Sequence, residues 1–97
     1  MWVRSQDKKM LVKVDMIELL DYENSIVAYN SIKVANLGKY STKEKAIKVL
    51  DMIQQCVSGF TDYEVDEYYQ YGVFQMPKDE EVELWENIFI QAKHHFY

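Results

Sequence analysis

Short runs of alternating apolar and polar residues, separated by polar turns, fill the first forty positions of the chain. Val12, Val14 and Met16 alternate with Lys13 and Asp15, and a period of two is typical of a half-buried strand. Short polar turns between such runs predict an antiparallel β meander over residues 1–40. Its predicted strands are Trp2–Arg4, Leu11–Leu20, Ile26–Tyr29 and Lys33–Lys39, with one bent strand over Ile26–Leu37 as the alternative to a turn at Asn30-Ser31.

Helical spacing replaces this alternation at Ser41. Serine is a favourable N-cap, and Glu44 stands where a capping box places a glutamate. Gly59 occupies the position where a helix commonly ends in the left-handed conformation. These signals predict a helix over about Thr42–Ser58, with Ser41 at its N-cap and an apolar stripe made of Ala46, Val49, Leu50, Ile53 and Val57.

The rest of the chain divides into three predicted segments. Residues 60–72 are acidic and rich in tyrosine and show no clean period, and residues 73–76 resemble a short strand that Pro77 ends. Asp79 is a candidate N-cap for an amphipathic helix over residues 79–96. We therefore expect one α+β domain over residues 1–97, with a small antiparallel three- to four-stranded sheet, one packed helix and a C-terminal amphipathic helix.

The charge balance favours a protein partner over nucleic acid. The 97-residue chain has a formal net charge of -5, and Arg4 is its only arginine. An acidic domain repels phosphates and lacks the side chain best suited to bind them, so we expect no direct contact with nucleic acid. The basic surface of another protein, such as a nucleic-acid-binding host protein, fits this charge better.

Cysteine content and hydropathy indicate a cytoplasmic protein. Cys56 is the only cysteine, so no intrachain disulfide can form, which fits a reducing compartment. The N-terminal residues lack the apolar core of a signal peptide, and no apolar run approaches the ~20 residues of a membrane span. We therefore expect a cytoplasmic location without membrane contact.

The acidic tyrosine segment, residues 60–72, is the main candidate for a binding surface. Its carboxylates can pair with basic side chains of a partner, and tyrosines supply large contact area at low entropic cost. The simpler interpretation is a solvated loop whose tyrosines pack on the domain edge. The candidate partner-binding residues are Asp62, Tyr63, Glu64, Asp66, Glu67, Tyr68, Tyr69 and Tyr71.

The apolar face of the predicted C-terminal helix allows two interpretations. It can complete the core of a small domain, or it can form a homodimer surface if the sheet does not cover it. The candidate residues for self-association are Trp85, Phe89 and Phe96.

The sequence indicates no catalytic residue, metal ligand or cofactor site. His94 and His95 are adjacent, so they point about 100° apart on a helix and are poor co-ligands for one metal ion. Cys56 lies among apolar neighbours, which is typical of a small buried hydrophobe. Asp66 and Glu67 are adjacent carboxylates with no sign of a pocket, and no phosphate-binding or nucleophile motif is present.

Three short motifs carry a resemblance. They are RSQDK at Arg4–Lys8, LGKYSTKEKA at Leu37–Ala46 with VLD at Val49–Asp51, and FQMP at Phe74–Pro77. Over about residues 2–54 and the FQMP stretch, the chain resembles small uncharacterised proteins of phages, prophages and mobile elements of Gram-positive bacteria. The resemblance brings no catalytic residue with it and does not include the residues from Glu80 onward.

The resemblance implies a context for function. Small acidic phage proteins often bind and inhibit a host factor, including nucleases of bacterial defence, so it implies a protein-binding module that inhibits a host defence protein. A structural, self-assembling accessory protein is the alternative, and a small enzyme is the third hypothesis.

Overall fold

The computed structural model describes residues 1–84 and confirms an α+β fold. Within that range, seven strands form two sheets beside one long helix and one short helix. The strands are β1 (Trp2–Arg4), β2 (Leu11–Lys13), β3 (Met16–Leu20), β4 (Ser25–Tyr29), β5 (Val34–Lys39), β6 (Tyr69–Gln70) and β7 (Val73–Gln75). The helices are α1 (Lys43–Ser58) and α2 (Tyr63–Asp66), and a 3-10 turn follows at Asp79–Glu81.

The two sheets differ in how far apart in sequence their strands lie. The three-stranded sheet, with order β3-β4-β5, is an antiparallel meander of consecutive strands, as the alternation predicted for that part of the chain. The four-stranded sheet has the order β2-β1-β7-β6. Its central pair is parallel and places Val3 beside Phe74, so this mixed sheet depends on a contact between distant segments.

The prediction of one strand over Leu11–Leu20 is wrong, because the two halves belong to different sheets. Between them, the N–H of Val14 donates to the carbonyl of Met1 at 2.9 Å, and the N–H of Asp15 donates to the carbonyl of Tyr29 at 3.0 Å. Neighbouring backbone groups thus bond toward different sheets. The chain changes sheets here without interrupting the alternation of apolar and polar residues.

The turn predicted at Asn30-Ser31 is confirmed, and the bent strand considered as its alternative is not formed. The side-chain oxygen of Asn30 accepts the N–H groups of Ile32 and Lys33, both at 2.9 Å. Asparagine commonly stabilises a turn in this way. The turn separates β4 from β5 and fixes their antiparallel pairing.

Helix α1 is confirmed, but its N-cap is Thr42 rather than Ser41. The hydroxyl of Thr42 accepts the N–H of Lys45 at 3.2 Å, as an N-cap side chain does. Ser41 instead donates from its N–H, at 2.8 Å, and from its hydroxyl, at 3.1 Å, to the carboxylate of Asp79. The helix ends as predicted at Gly59, which adopts φ 82°.

The helix predicted to begin at Asp79 does not begin there. Asp79–Glu81 forms one 3-10 turn, and Val82 is extended. The Asp79 carboxylate, the candidate N-cap, bonds to Ser41 and lies 3.7 Å from the ammonium of Lys45. Residues 85–97, which contain most of that predicted helix, lie outside the described residues.

One core joins both sheets to α1. Val3 and Phe74 from the four-stranded sheet share a cluster with Ile26 and Leu37 from the three-stranded sheet, and each is almost fully buried. Removing such apolar surface from water is the main stabilising contribution to a domain. Cys56 on α1 belongs to this cluster, and burial raises the pKa of its thiol to about 11, so it acts as a small apolar residue at neutral pH.

The three motifs of the resemblance meet where the two sheets join. Gln6 lies along the outer edge of β5, where its backbone N–H donates to the carbonyl of Leu37 at 2.7 Å. Its side-chain amide exchanges two hydrogen bonds with the backbone of Lys39, both at 3.1 Å, and donates a third to the carbonyl of Pro77 at 3.3 Å. We call this region, made of Arg4–Lys8, Leu37–Tyr40 and Phe74–Pro77, the sheet junction.

Polar side chains in the sheet junction bond inward. The hydroxyl of the buried Ser5 donates to the carboxylate of Asp7 at 2.6 Å and accepts the N–H of Met10 at 3.0 Å. The bond from Ser5, together with one from the N–H of Lys9, lowers the pKa of the Asp7 carboxyl. Gln75 donates to the carbonyl of Ser5 at 3.0 Å. These groups therefore hold the turn and the two sheets in place.

Candidate functional site

The acidic tyrosine segment contains helix α2 and strand β6, joined by turns. Asp62 is the N-cap of α2, because its carboxylate accepts the N–H of Val65 at 2.9 Å, and this bond lowers the pKa of the carboxyl. The side chain of Val65 is buried and anchors α2 to the core. The rest of the segment forms the hairpin of β6 and β7, in which Tyr69 pairs with Phe74.

Tyr71 lies at the tip of this hairpin in an unusual backbone conformation. Tyr71 and Gly72 form the two-residue loop with φ values of 55° and 77°. Two positive φ values are typical of a type I′ turn, which normally contains asparagine, aspartate or glycine at its first position. The left-handed conformation costs a residue with a Cβ atom roughly 1–2 kcal/mol, and the Tyr71 side chain is 100% exposed, so packing does not offset this cost.

Two carboxylates of the segment bond to neighbouring side chains. Glu64 forms an ion pair with Lys48 of α1, with 2.9 Å between the carboxylate and the ammonium. Asp66 accepts a hydrogen bond from the hydroxyl of Thr61. Both residues therefore also support the placement of α2.

Two tyrosines of the segment are partly buried. Tyr68 and Tyr69 pack against the core, and the hydroxyl of Tyr68 donates to the carboxylate of Glu81 at 3.1 Å. Burial, followed by this hydrogen bond, raises the pKa of Tyr68 to about 12. Tyr63, by contrast, is 92% exposed and can contact a partner with its whole side chain.

An acidic groove of about 290 Å³ lies between α1 and α2. Among the described residues, the one basic side chain in its lining is Lys48, whose ammonium is already paired with Glu64. Two of its carboxylates, Glu44 and Asp51, were not predicted from the sequence pattern, although they are seven residues apart on α1 and such spacing places them on one face. The carboxylates that line the acidic groove are Glu44, Asp51, Asp62 and Glu64.

A second groove, with a volume of about 590 Å³, lies on the outer face of the four-stranded sheet. Three basic residues, Arg4, Lys8 and Lys9, line it together with one carboxylate, Glu67. Its wall also contains the hairpin between β6 and β7, including Tyr71. We call it the basic groove, and no residue of its lining belongs to the acidic groove.

The lysines of α1 and the basic residues of the basic groove differ in their pairing. Lys43, Lys45 and Lys48 each form an ion pair with a carboxylate, at 3.2, 3.7 and 2.9 Å respectively. Within residues 1–84, no ion pair involves a basic residue of the basic groove. Arg4 donates from its Nε to the carbonyl of Lys8 at 3.0 Å. Among the described residues, no carboxylate neutralises the charges of the basic groove, and they can interact with an external anion.

The predicted partner-binding residues thus do not form one surface. Asp62 and Glu64 line the acidic groove, with Tyr63 between them in sequence, whereas Glu67, Tyr68 and Tyr71 line the basic groove. Asp66 bonds to Thr61, and Tyr69 is half-buried. Pattern analysis did not find the basic groove, because its walls come from two distant parts of the chain.

The candidates for self-association, Trp85, Phe89 and Phe96, lie outside the described residues. Within residues 1–84, no helix has both the length and the apolar character needed to cross a bilayer. The same residues bring together no group of three histidine, cysteine or acidic side chains that could hold a metal ion. Comparisons with protein families, with curated proteins and with solved structures found no match.

Proposed function

We propose that this protein is a non-enzymatic binding module whose acidic groove, together with Tyr63, holds a basic surface of another protein. The observation that carries the proposal is the set of four carboxylates around Lys48, a lysine whose charge Glu64 already neutralises. A groove lined mainly by one sign of charge raises the local concentration of oppositely charged groups and speeds association. The net charge of -5 favours the same class of partner.

The dimensions of the acidic groove suit a side chain better than a cofactor. Its volume of about 290 Å³ is at the lower limit of the roughly 300–1,000 Å³ typical of small-molecule sites. A lysine or arginine side chain of a partner would place its charge among Glu44, Asp51 and Asp62 while its aliphatic part contacts the groove wall. The acidic groove is therefore proposed to hold one basic anchor of a larger interface.

Tyr63 supplies the apolar part of the proposed contact. It is the first residue of α2, beside Asp62 and Glu64 in sequence, and it is 92% exposed. Tyrosine is enriched among the residues that contribute most to protein–protein binding, because its ring covers much area and loses little entropy. A basic side chain beside an exposed tyrosine can also form a cation–π contact.

The resemblance to phage and mobile-element proteins supports a narrower form of the proposal. A nuclease binds phosphates through a basic groove, and a partner that presents carboxylates can occupy that groove in place of nucleic acid. The proposed partner is therefore a nucleic-acid-binding host defence protein, which this module would inhibit in the cytoplasm.

Self-assembly is the second candidate function, and the two grooves of opposite charge favour it. Acidic and basic grooves on separate parts of the surface would let one copy bind the next head to tail. Such contacts form rings or open chains instead of a symmetric dimer. Sedimentation at low salt would then show species larger than two copies, which dissociate at high salt.

The proposed function is tested with charge reversal in the acidic groove. The variant Glu44→Lys/Asp51→Lys changes the groove but leaves the Asp62 cap and the ion pair of Glu64 intact. The matched control, Asp15→Lys/Glu80→Lys, makes the same change in net charge at exposed positions outside the groove. Both variants should remain folded, as judged by thermal unfolding.

Binding is then measured in two stages. Tagged wild-type protein and both variants are incubated with nuclease-treated lysate of a Gram-positive host, and retained proteins are quantified by mass spectrometry. The partner is purified and its dissociation constant is determined by calorimetry. We expect the groove variant to bind at least about tenfold more weakly, with the control close to wild type. Equal losses in both variants, or no loss in either, would contradict the proposal.

A further inference from the structure

The basic groove is part of a longer track across the outer face of the four-stranded sheet. A smaller groove of about 230 Å³ continues from the basic groove, and Met10 and Leu11 belong to the linings of both. Trp2, Lys13 and Lys33 line the continuation. The track therefore extends across several strands instead of ending in a single enclosed cavity.

Basic residues are concentrated along this track. Five of the 11 basic residues of the chain line it, and they are Arg4, Lys8, Lys9, Lys13 and Lys33. One carboxylate, Glu67, lies in the lining of the described residues. Asp7 belongs to the same turn as Lys8 and Lys9, but its carboxylate bonds to Ser5 and to the N–H of Lys9. The local charge is therefore positive although the protein is acidic as a whole.

Aromatic side chains accompany the basic ones. Trp2 lies on the outer face of the sheet and is 45% exposed, and Tyr71 at the hairpin tip is fully exposed. Lys8 and Tyr71 both have positive φ, at 67° and 55°. Strained non-glycine residues of this kind concentrate at binding sites, where the surrounding structure holds them in place. Here a lysine and a tyrosine with this backbone conformation line the same groove.

We propose that this track binds single-stranded nucleic acid, with bases stacked on Trp2 and Tyr71 and phosphates at the basic residues of the track. Sequence-tolerant binding of single strands uses this combination of a positively charged groove and aromatic stacking surfaces. Four-stranded sheets that present aromatic side chains bind RNA in the same general way. The proposal departs from the expectation set by net charge, because Glu67 is the one carboxylate among the described residues that line the track.

A single strand fits the track better than three other anionic ligands. A free nucleotide would fill one enclosed pocket, whereas the track is open and continues past Met10 and Leu11. An acidic peptide would use the charges but not the exposed ring faces of Trp2 and Tyr71. A duplex presents its bases edge-on in the grooves and could not stack them on these side chains.

The test measures binding of a fluorescently labelled oligothymidylate of about ten nucleotides to the full chain by fluorescence anisotropy over a range of salt concentrations. Three phosphate contacts predict that the logarithm of the affinity falls against the logarithm of salt with a slope of about -2. Lys8→Glu/Lys9→Glu should weaken binding at least about tenfold and reduce the magnitude of the slope to less than about 1. Tyr71→Ala should weaken binding about tenfold with the slope unchanged, because stacking involves no counterion.

The matched control is Lys39→Glu/Lys78→Glu, which makes the same change in net charge at exposed positions outside the track. Its affinity for the oligonucleotide should be at least about one third of the wild-type affinity. If it weakened binding as much as Lys8→Glu/Lys9→Glu does, net charge alone would explain the effect and the proposal would be overturned. If thymidine monophosphate, at the same total concentration of phosphate groups as the oligonucleotide, displaced the oligonucleotide, the site would be a small-ligand pocket instead. Equal displacement by polyglutamate would indicate a general polyanion surface, and no binding by the wild type at low salt would also overturn it.

Discussion

The sheet junction and the two grooves use polar side chains in opposite ways. In the junction, Gln6, Ser5 and Gln75 direct their hydrogen bonds to backbone groups and side chains of the same domain. In the grooves, most charged groups and the exposed ring of Tyr71 face solvent, as does the ring of Tyr63 on α2. The difference separates side chains whose bonds hold the fold from side chains that can contact another molecule, although Arg4, Lys8 and Gln75 of the junction also line the basic groove.

This difference also limits what the resemblance implies. Its motifs, RSQDK, LGKYSTKEKA and FQMP, supply the residues that bond within the sheet junction. A protein that shares them has the bonds needed to join two such sheets, whatever its grooves contain. The resemblance therefore supports a shared fold more directly than a shared partner. Some motif residues also line the grooves: Arg4 and Lys8 line the basic groove, and Glu44 and Asp51 line the acidic groove.

Substitution of Gly38 gives the largest effect expected in the sheet junction. A Cβ atom at Gly38 would lie 3.0 Å from the Cβ atom of Gln6 and 3.3 Å from its amide group. Gly38→Val should therefore lower the free energy of unfolding by about 2 kcal/mol, as overpacking of a buried site does. Urea unfolding at neutral pH measures this loss.

A double substitution isolates the contact. In Gln6→Gly/Gly38→Val, the side chain that meets the new Cβ atom is removed, so the combined loss should be smaller than the sum of the two single losses. Strict additivity would show that the closeness of Gly38 to Gln6 does not determine stability. Nucleic-acid binding by the folded fraction should be unchanged, because neither residue lines a groove.

Asp79 gives a smaller effect that depends on pH. Its carboxylate accepts hydrogen bonds from Ser41 and lies near Lys45, and these interactions, the Ser41 backbone bond foremost, lower its pKa below the ordinary value of 3.8. A carboxyl with a lowered pKa stabilises the folded state at pH values above its ordinary pKa. This contribution is lost as the pH falls through the lowered pKa. Asp79→Asn should therefore cost about 1 kcal/mol at neutral pH, since solvent screens the exposed part of the site.

The pH profile distinguishes this effect from a general loss of structure. The stability of Asp79→Asn should approach that of the wild type as pH falls from 5 toward 2, roughly the range over which carboxyls titrate. Glu80→Gln, at the neighbouring exposed position, is the control and should follow the wild-type profile. A constant difference between Asp79→Asn and wild type across this range would contradict the assignment.

Local patterns predicted the local elements of this fold. The stripe from Ala46 to Val57 and the stop at Gly59 predicted α1, because all of these signals lie within one helix. The exchange of sheets at Val14 and Asp15 could not be predicted, since apolar and polar residues alternate without a break from Val12 to Met16, across the point of exchange. Both Ser41 and Thr42 can cap a helix, and only the distant Asp79 determines which one does.

The candidate site follows the same division. The acidic groove could be predicted in part, because Asp62 and Glu64 are close in sequence, whereas Glu44 and Asp51 join them only through the packing of α2 on α1. The basic groove needs the parallel pairing of β1 with β7, which brings residues 4–11 beside residues 67–75. The net charge is one number for the whole chain, so it does not show that acidic and basic residues lie in separate grooves.

Tyr71 gives the smallest expected change in stability, and that change has the opposite sign. Tyr71→Asn places at the hairpin tip a residue that tolerates positive φ, so the free energy of unfolding should rise by about 0.5 kcal/mol. Because the tyrosine side chain is fully exposed, the substitution removes no packing that would offset this gain. Binding of the oligothymidylate should weaken at the same time.

Tyr63→Asn is the control, since Tyr63 is nearly as exposed but does not have positive φ. This control should change the free energy of unfolding by less than about 0.5 kcal/mol and leave nucleic-acid binding unchanged. A variant that gains stability while it loses binding would show that the strained tyrosine serves recognition, whereas a gain in stability with unchanged binding would assign it no role in the basic groove.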